Sequence, residues 1–157
     1  MVKYNMMKEI SSNKKAYFEY EITDRFEAGI VLTGAEIKAI RAGKVNLTGA
    51  HAKMLNQSAR NKIKGANNPE LFIINMHIGI KGGDSTRTRK ILMHRAEIDK
   101  LIGKTQIKGL TLIPTRLYLK HGRAKIELAI GRGKKIHDKR EVIKKRDLDR
   151  SRKYDDE

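Results

Sequence analysis

The sequence predicts a mainly β protein, a small antiparallel barrel with two or three short helices and a basic C-terminal tail that is disordered until bound. Five or six short stretches alternate apolar and polar residues, and no βαβ alternation of the kind a parallel sheet needs accompanies them. Two of these stretches, Thr111 to Lys120 and Arg123 to Ile130, flank His121-Gly122, a two-residue turn of the X-Gly kind. Beyond Gly131 the pattern changes. From residue 132 to 153 there are eleven basic residues and four acids, a net of +7, with Ile136, Val142, Ile143 and Leu148 as the only sizeable apolar side chains. They are too few to bury a face, yet no Gly or Pro after Gly133 would stop a helix, so this tail should turn helical on a polyanion.

Residues 1–12 lack a convincing period and read as a flexible leader; 13–131 form the barrel and 132–157 the tail. From Tyr17 the alternation of Phe18, Tyr20 and Ile22 against Glu19 and Glu21 predicts a half-buried strand, and Phe26 to Leu32 continues extended. Thr33-Gly34-Ala35-Glu36 is a capping box opening a short helix that buries Ile37 and Ile40, shows Lys38 and Arg41 to solvent and stops at Gly43. Gly49 to Leu55 alternates as a strand. Asn56 to Pro69 is a long polar loop, and Leu71 to Ile80 is apolar enough for a central strand. A loop from Lys81 to Thr88 leads to Ile91-Leu92-Met93. Next comes a helix of about two turns with Ile98, Leu101 and Ile102 inward and Gly103 as its stop. In the closing hairpin Ala124, Ile126, Leu128 and Ile130 point inward. Pro114 removes a ladder donor from the outgoing strand and should sit at an edge or a bulge. An OB-like barrel fits this pattern, because that architecture presents a basic face and loops to nucleic acid.

Charge narrows the partner. The chain of 157 residues carries 35 Lys and Arg against 18 Asp and Glu, a formal net charge of +17. So one-sided a balance opposes compaction and favours a polyanion, nucleic acid first. There is no Cys, which removes disulfides, thiolate metal sites and cysteine nucleophiles and suits a reducing cytoplasm. Met1 to Lys15 is polar and charged, so no signal peptide is visible, and Leu71 to Ile80 is too short to span a bilayer, so no membrane partner is expected. The five histidines are scattered with no H-x-x-x-H spacing, and neither G-x-S-x-G nor a P-loop occurs. No enzyme, metal or cofactor is expected, although acids converging only in three dimensions leave a metal-dependent nuclease open.

Two constellations stand out as candidate contacts. Arg87, Arg89 and Lys90 form a basic run whose guanidinium groups can clasp phosphate or stack on bases. Arg41 and Lys125 point away from the inferred core and, with Lys90, could frame one electropositive face. The tail has its own logic. Asp138 followed by Glu141 resembles a capping box that would start a helix at Lys139, and Glu141 with Lys145 and Asp149 with Lys153 are i,i+4 pairs worth a few tenths of a kcal/mol each. From Lys139 to Tyr154 such a helix would reach roughly 24 Å. Gly133 would give hinge freedom at its base.

The chain also resembles a known family, the SsrA-binding proteins (small protein B), over nearly its whole length. The likeness rests on Asn13-Lys14-Lys15-Ala16 and on Phe26 to Gly34 running into Glu36-Ile37-Lys38 and Arg41-Ala42-Gly43. It continues through Thr86-Arg87-Thr88-Arg89-Lys90, Lys108-Gly109-Leu110-Thr111, and Leu117-Tyr118 with Lys120. Gly133-Lys134-Lys135 with Asp138-Lys139-Arg140 completes it. The Asn56–Pro69 loop is longer than the family pattern. The loop before Arg87 is shorter, with Ser85 where a proline is common.

The resemblance implies a cytoplasmic, non-catalytic trans-translation factor that binds the tRNA-like domain of transfer-messenger RNA and helps carry it into the vacant A site of a stalled ribosome; with no exposed apolar seam to suggest self-assembly, a monomer is expected. It implies RNA contacts by Glu27, through base or ribose donors since a carboxylate repels phosphate, by Leu92 as an apolar contact, and by Lys125. Asn13 and Lys14 would lie beside that surface. The tail, with Gly133, Lys134, Lys135, His137, Asp138, Lys139, Arg140, Lys144, Lys145 and Arg146, would become helical in the decoding centre and empty messenger channel. A structural ribosomal protein is the alternative within the same partner class.

Overall fold

The structure is a computed structural model that describes residues 7–56 and 68–155. Its elements run β1 (Met7–Ser12), α1 (Lys14–Glu19), β2 (Tyr20–Ile30), α2 (Gly34–Arg41), β3 (Val45–Asn46), β4 (His51–Asn56) and β5 (Pro69–Ile74). They continue through β6 (His77–Ile78), β7 (Arg89–Leu92), α3 (Arg95–Thr105), β8 (Leu110–Lys120), β9 (Arg123–Gly133) and α4 (Ile136–Asp155). The strand pairings β8-β4-β5-β7-β2-β9 return to β8, so they close a ring, and every pair in it is antiparallel. β1 lies along β8 outside the ring, and β3 with β6 makes a separate two-stranded ladder.

The closing hairpin forms as its alternation requires. His121 and Gly122 both take positive φ, 51° and 75°, which is the backbone of a type I′ turn. Ile126, Leu128 and Ile130 are buried. Pro114 sits at a bulge, where the β8–β9 register shifts between Pro114 and Arg116. The carbonyls exposed there are not wasted. Asn13 donates its backbone N–H to the Thr115 carbonyl at 2.8 Å and its side-chain Nδ2 to the Pro114 carbonyl at 3.0 Å.

Four local expectations give way. The leader is a strand from Met7 onward, because β8 offers it an unpaired edge; residues 1–6 lie outside the described set. Lys14–Glu19 is a helix rather than the start of a strand: Asn13 caps it, its Oδ1 accepting from the Ala16 N–H at 3.1 Å, and alternation over so few residues cannot outvote a satisfied cap. The apolar run from Leu71 is broken at Asn75, whose φ of 61° ends β5 before β6 begins. Gly103 lies inside α3, which runs on to Thr105. Most of the long Asn56–Pro69 loop (57–67) falls outside the described residues.

The tail differs most. Residues 136–155 form a helix, starting a turn before Lys139, with the Lys139 N–H donating to the Lys135 carbonyl at 3.2 Å. Asp138 therefore sits within the first turn and not at the cap. Ile143 and Leu148 are 46% and 59% exposed and Val142 is only half-buried, so among its described side chains the helix buries no apolar face.

One buried ion cluster ties the body together. The Thr33 side chain caps α2 by accepting from the Glu36 N–H at 3.3 Å. The Glu36 carboxylate turns inward to meet Arg89 on β7 through one oxygen and Arg87 through the other, at 2.6 Å. Arg89 is wholly buried and spends its remaining donors on the carbonyls of Met76, at 2.7 Å, and Ser85, at 3.2 Å. Burial pushes the Glu36 carboxyl up, but the hydrogen bonds and charge of the two guanidinium groups outweigh it and hold it below its ordinary value. Replacing Glu36 by Gln should cost about 3 kcal/mol or more in urea unfolding, because Arg89 is left buried and uncompensated. Since this carboxyl titrates lower folded than unfolded, its stabilisation is complete above pH 4.5 and is lost as pH falls through the folded value. Wild type should therefore lose stability in acid more steeply than Glu36→Gln.

Candidate nucleic-acid interface

The register of three strands builds the candidate surface. Gly29 on β2 stands opposite Leu92 of β7 on one side and Lys125 of β9 on the other. Because Gly29 has no side chain, Leu92 lies across it: a Cβ there would come 3.3 Å from the Leu92 Cβ. Leu92 is 51% exposed despite being a large apolar residue. Two residues earlier on β2, on the same face, is Glu27. Glu27, Leu92, Met93, His94, Glu97 and Lys125 line an open hollow of about 500 Å³. An acceptor, an apolar plate and a cation thus share one concavity.

Glu27 is held in place from β8, across the intervening β9. Tyr118 of β8, opposite Lys125, donates its hydroxyl to a Glu27 carboxylate oxygen, and Lys120 Nζ approaches both oxygens at 3.3 and 3.4 Å. The Tyr118 hydrogen bond, reinforced by Lys120 and Lys125 against the opposing effect of burial, holds the Glu27 carboxyl below its ordinary value. Burial and the bond to Glu27 push the Tyr118 hydroxyl up, so it stays a proton donor. Beside this pair, Glu127 accepts from Thr115 Oγ1 at 2.7 Å and from Arg116 at 2.8 Å, and Arg25 approaches within 4.0 Å. Arg116 also lies over the Tyr118 ring, 5.5 Å from its centre. The Glu27 and Glu127 carboxylates are therefore ionised and oriented, and Glu27 is able to accept from a base or ribose while lysines beside it meet phosphate.

Of the residues picked out in the sequence, the structure brings Glu27, Leu92 and Lys125 together. Lys90 lies two residues before Leu92 on β7 and pairs with Glu70 at 2.7 Å. Arg87 is half-buried against Glu36. Arg89 is a correction: with 0% exposure it cannot reach a ligand, because Glu36 drew its guanidinium inward. Asn13 is a second correction. It is 3% exposed, its oxygen capping α1 and its Nδ2 donating to the carbonyls of Leu47 and Pro114, so it braces the β8 bulge and presents nothing outward. Lys14 and Arg41 are exposed, but neither lines the hollow.

Tyr118, Lys120, Met93, His94 and Glu97 went unassigned. Alternation along the hairpin puts Tyr118 and Lys120 on the face of Lys125, so half of that signal was present. Their acid partner lies about ninety residues away and needed the topology.

The tail begins where β9 ends at Gly133. The Lys134 N–H donates to the Glu19 carbonyl at 2.8 Å and Lys134 Nζ to the Tyr17 carbonyl at 3.1 Å. Arg146 lies 5.7 Å from the centre of the Phe18 ring, and these contacts lay α4 against α1. Glu141 comes 3.7 Å from His137 Nδ1; among the described residues it forms no pair with Lys145. Lys135, His137, Asp138, Arg140, Lys144, Lys145 and Arg146 are exposed, and Lys139 is half-buried.

Comparison with known proteins bears on this surface. The sequence model of a family described as "SmpB protein" matches residues 10–155. The SsrA-binding protein of Acaryochloris marina is 50% identical, over 88% of this chain and 87% of its own. That of Thermoanaerobacter pseudethanolicus is also 50% identical, over 90% of this chain and 86% of its own. A solved chain described as "tmRNA-SmpB: a journey to the center of the bacterial ribosome" superposes with a TM-score of 0.63 at 38% identity, covering 85% of this chain and 93% of that one.

Replacing Tyr118 by Phe should raise the Glu27 carboxyl back toward its ordinary value, read by carbon NMR titration, and cost about 1–2 kcal/mol of stability.

Proposed function

The chain belongs to the SmpB protein family, and on that basis we propose that it is a cytoplasmic, non-catalytic RNA-binding adaptor that holds the tRNA-like domain of transfer-messenger RNA and delivers it to the A site of stalled ribosomes. The observation that carries this reading is the Glu27–Leu92–Lys125 hollow. A large apolar side chain left exposed on a strand, between an oriented carboxylate and a lysine, suits the splayed bases and ribose of a folded RNA elbow. The names of the relatives, SsrA-binding proteins, and the tmRNA–SmpB description of the structural neighbour support the same partner. No helix among the described residues is long and apolar enough to cross a membrane.

The division of labour follows the chain. The body, residues 13–131, grips the tRNA-like domain. Residues 132–157 serve the ribosome, their helix occupying the decoding centre and the empty messenger channel in place of codon–anticodon pairing. With Ile143 and Leu148 exposed and isolated i,i+4 pairs worth only tenths of a kcal/mol, this helix is marginal alone and persists when phosphates neutralise its lysines and arginines. The adaptor acts as a monomer.

Selective binding of the tRNA-like RNA should weaken steeply with salt, the log–log slope changing by about 0.7 to 0.9 per neutralised phosphate. Leu92→Ala should lower that affinity by about 1–2 kcal/mol without loss of thermal stability, since the side chain is exposed. Deleting residues 139–157 should leave this binding nearly intact and abolish rescue of stalled ribosomes in a translation assay. Loss of RNA affinity with rescue preserved would reverse the assignment.

A further inference from the structure

The face that carries Glu27 and Leu92 continues onto two further strands. Phe72 on β5 stands opposite Lys90 of β7 on one side and Lys53 of β4 on the other, and Glu70 stands opposite Leu55 of β4. Continuing the β5–β7 register by two residues sets Glu70 opposite Leu92. Leu71, Ile73, Arg89 and Ile91 are buried, so alternation turns Glu70, Phe72, Lys90 and Leu92 outward. Val31 joins them just past β2: its N–H donates to the Lys90 carbonyl at 3.0 Å, and alternation puts it on the face of Glu27 and Gly29.

This exterior keeps apolar surface in water. Leu92, Val31 and Leu55 are 51%, 42% and 36% exposed, and Phe72 is half-buried on the strand between those of Leu92 and Leu55. Single apolar residues on a surface are ordinary. Four on one face of adjacent strands form a patch, and a patch marks a contact.

Two lysines and one acid are set into that patch. Lys53 is exposed, and Lys90 Nζ reaches one Glu70 oxygen at 2.7 Å. The other Glu70 oxygen has no hydrogen-bond partner among the described residues. The Lys90 and Glu70 side chains are 40% and 30% exposed, so water screens their attraction and a phosphate can draw Lys90 away at small cost. Glu70 then has acceptors for a ribose 2′-hydroxyl.

We propose that the β7–β5–β4 exterior carries the bound RNA onward from the Glu27 hollow, an unpaired base packing against Phe72 and Leu55 while Lys53 and Lys90 meet the phosphates flanking it. The inference rests on the adaptor reading above and extends its site by Lys53, Leu55, Glu70 and Phe72. Two features favour RNA over a protein ligand. The patch is continuous with the hollow through Leu92, which belongs to both. An aromatic ring with a cation opposite it on each neighbouring strand also suits a single strand, since every base has a π-face and the cations track its backbone. A net charge of +17 draws a polyanion to such a surface first.

The test uses the full chain with the tRNA-like RNA as probe. K53Q/L55S should weaken binding about tenfold and flatten the log–log salt slope by about 0.7 to 0.9, the share of one phosphate contact. Both substituted side chains are exposed, so thermal unfolding should match wild type. K38Q, which removes the same charge from α2, should bind within about twofold of wild type. K53E, which leaves the apolar surface intact, should weaken binding more than K38E does. In nucleotide footprints K53Q/L55S should uncover positions that L92A leaves protected. Wild-type affinity in K53Q/L55S, equal weakening by K53E and K38E, or an unchanged footprint would overturn the extended site, the first of these leaving the patch to a protein. Failure of wild type itself to bind the tRNA-like RNA would instead sink the adaptor reading.

Discussion

The contact between Glu36 and Arg89 is the constraint on which the rest of this structure depends. It is an ion pair with both side chains essentially out of water, so it is favourable only because each of the two terminal nitrogens of Arg89 also finds a carbonyl. Through that one guanidinium, α2, β7, Met76 between β5 and β6, and the loop at Ser85 are fixed to each other. β7, thus anchored, carries Leu92 to the hollow it shares with Glu27 and Lys125.

A chain this basic must also keep its acids from dispersing its charge at random. The carboxylates of the β2–β9–β8 face are each engaged: Glu27 by Tyr118 and Lys120, Glu127 by Thr115, Arg116 and Arg25. Such pairing neutralises excess charge within the sheet while leaving oriented acceptors on a surface otherwise suited to phosphate. A face built only of lysines would bind any polyanion; ionised acceptors beside an apolar plate discriminate, because they reward base and ribose donors and penalise bare phosphate.

The tail obeys different rules. Lys134 continues the β9 ladder by one bond to Glu19, so the helix that follows is tethered at its root by backbone and touches the body at Phe18 through Arg146. A cation near the surface over a half-buried ring contributes on the order of 0.5–1 kcal/mol. That is enough to bias a direction and too little to resist a phosphate-rich channel. Amphipathic burial is missing by composition, and so the tail's shape belongs to its partner as much as to its own residues.

The sequence by itself settled what depends on near neighbours. Alternation assigned the inward residues of the closing hairpin, the His121-Gly122 pair called for a two-residue turn, and a proline within a strand called for an edge or a bulge, of which a bulge is found at Pro114, because each is a short-range steric or hydrogen-bonding requirement. The family motifs likewise selected Glu27, Leu92 and Lys125. What only the tertiary structure decided was where each polar side chain spends its donors. Arg89 and Asn13 read as surface groups until Glu36, 53 residues from Arg89, and the Pro114 carbonyl, 101 residues from Asn13, drew them inside. Tyr17 to Glu19 read as the start of a strand until a cap at Asn13 and a buried Ala16 made Lys14–Glu19 a helix. The physical reason is common to all three: a polar group goes to whichever partner satisfies it at least cost in desolvation, and that partner is set by topology, not by adjacency in the chain.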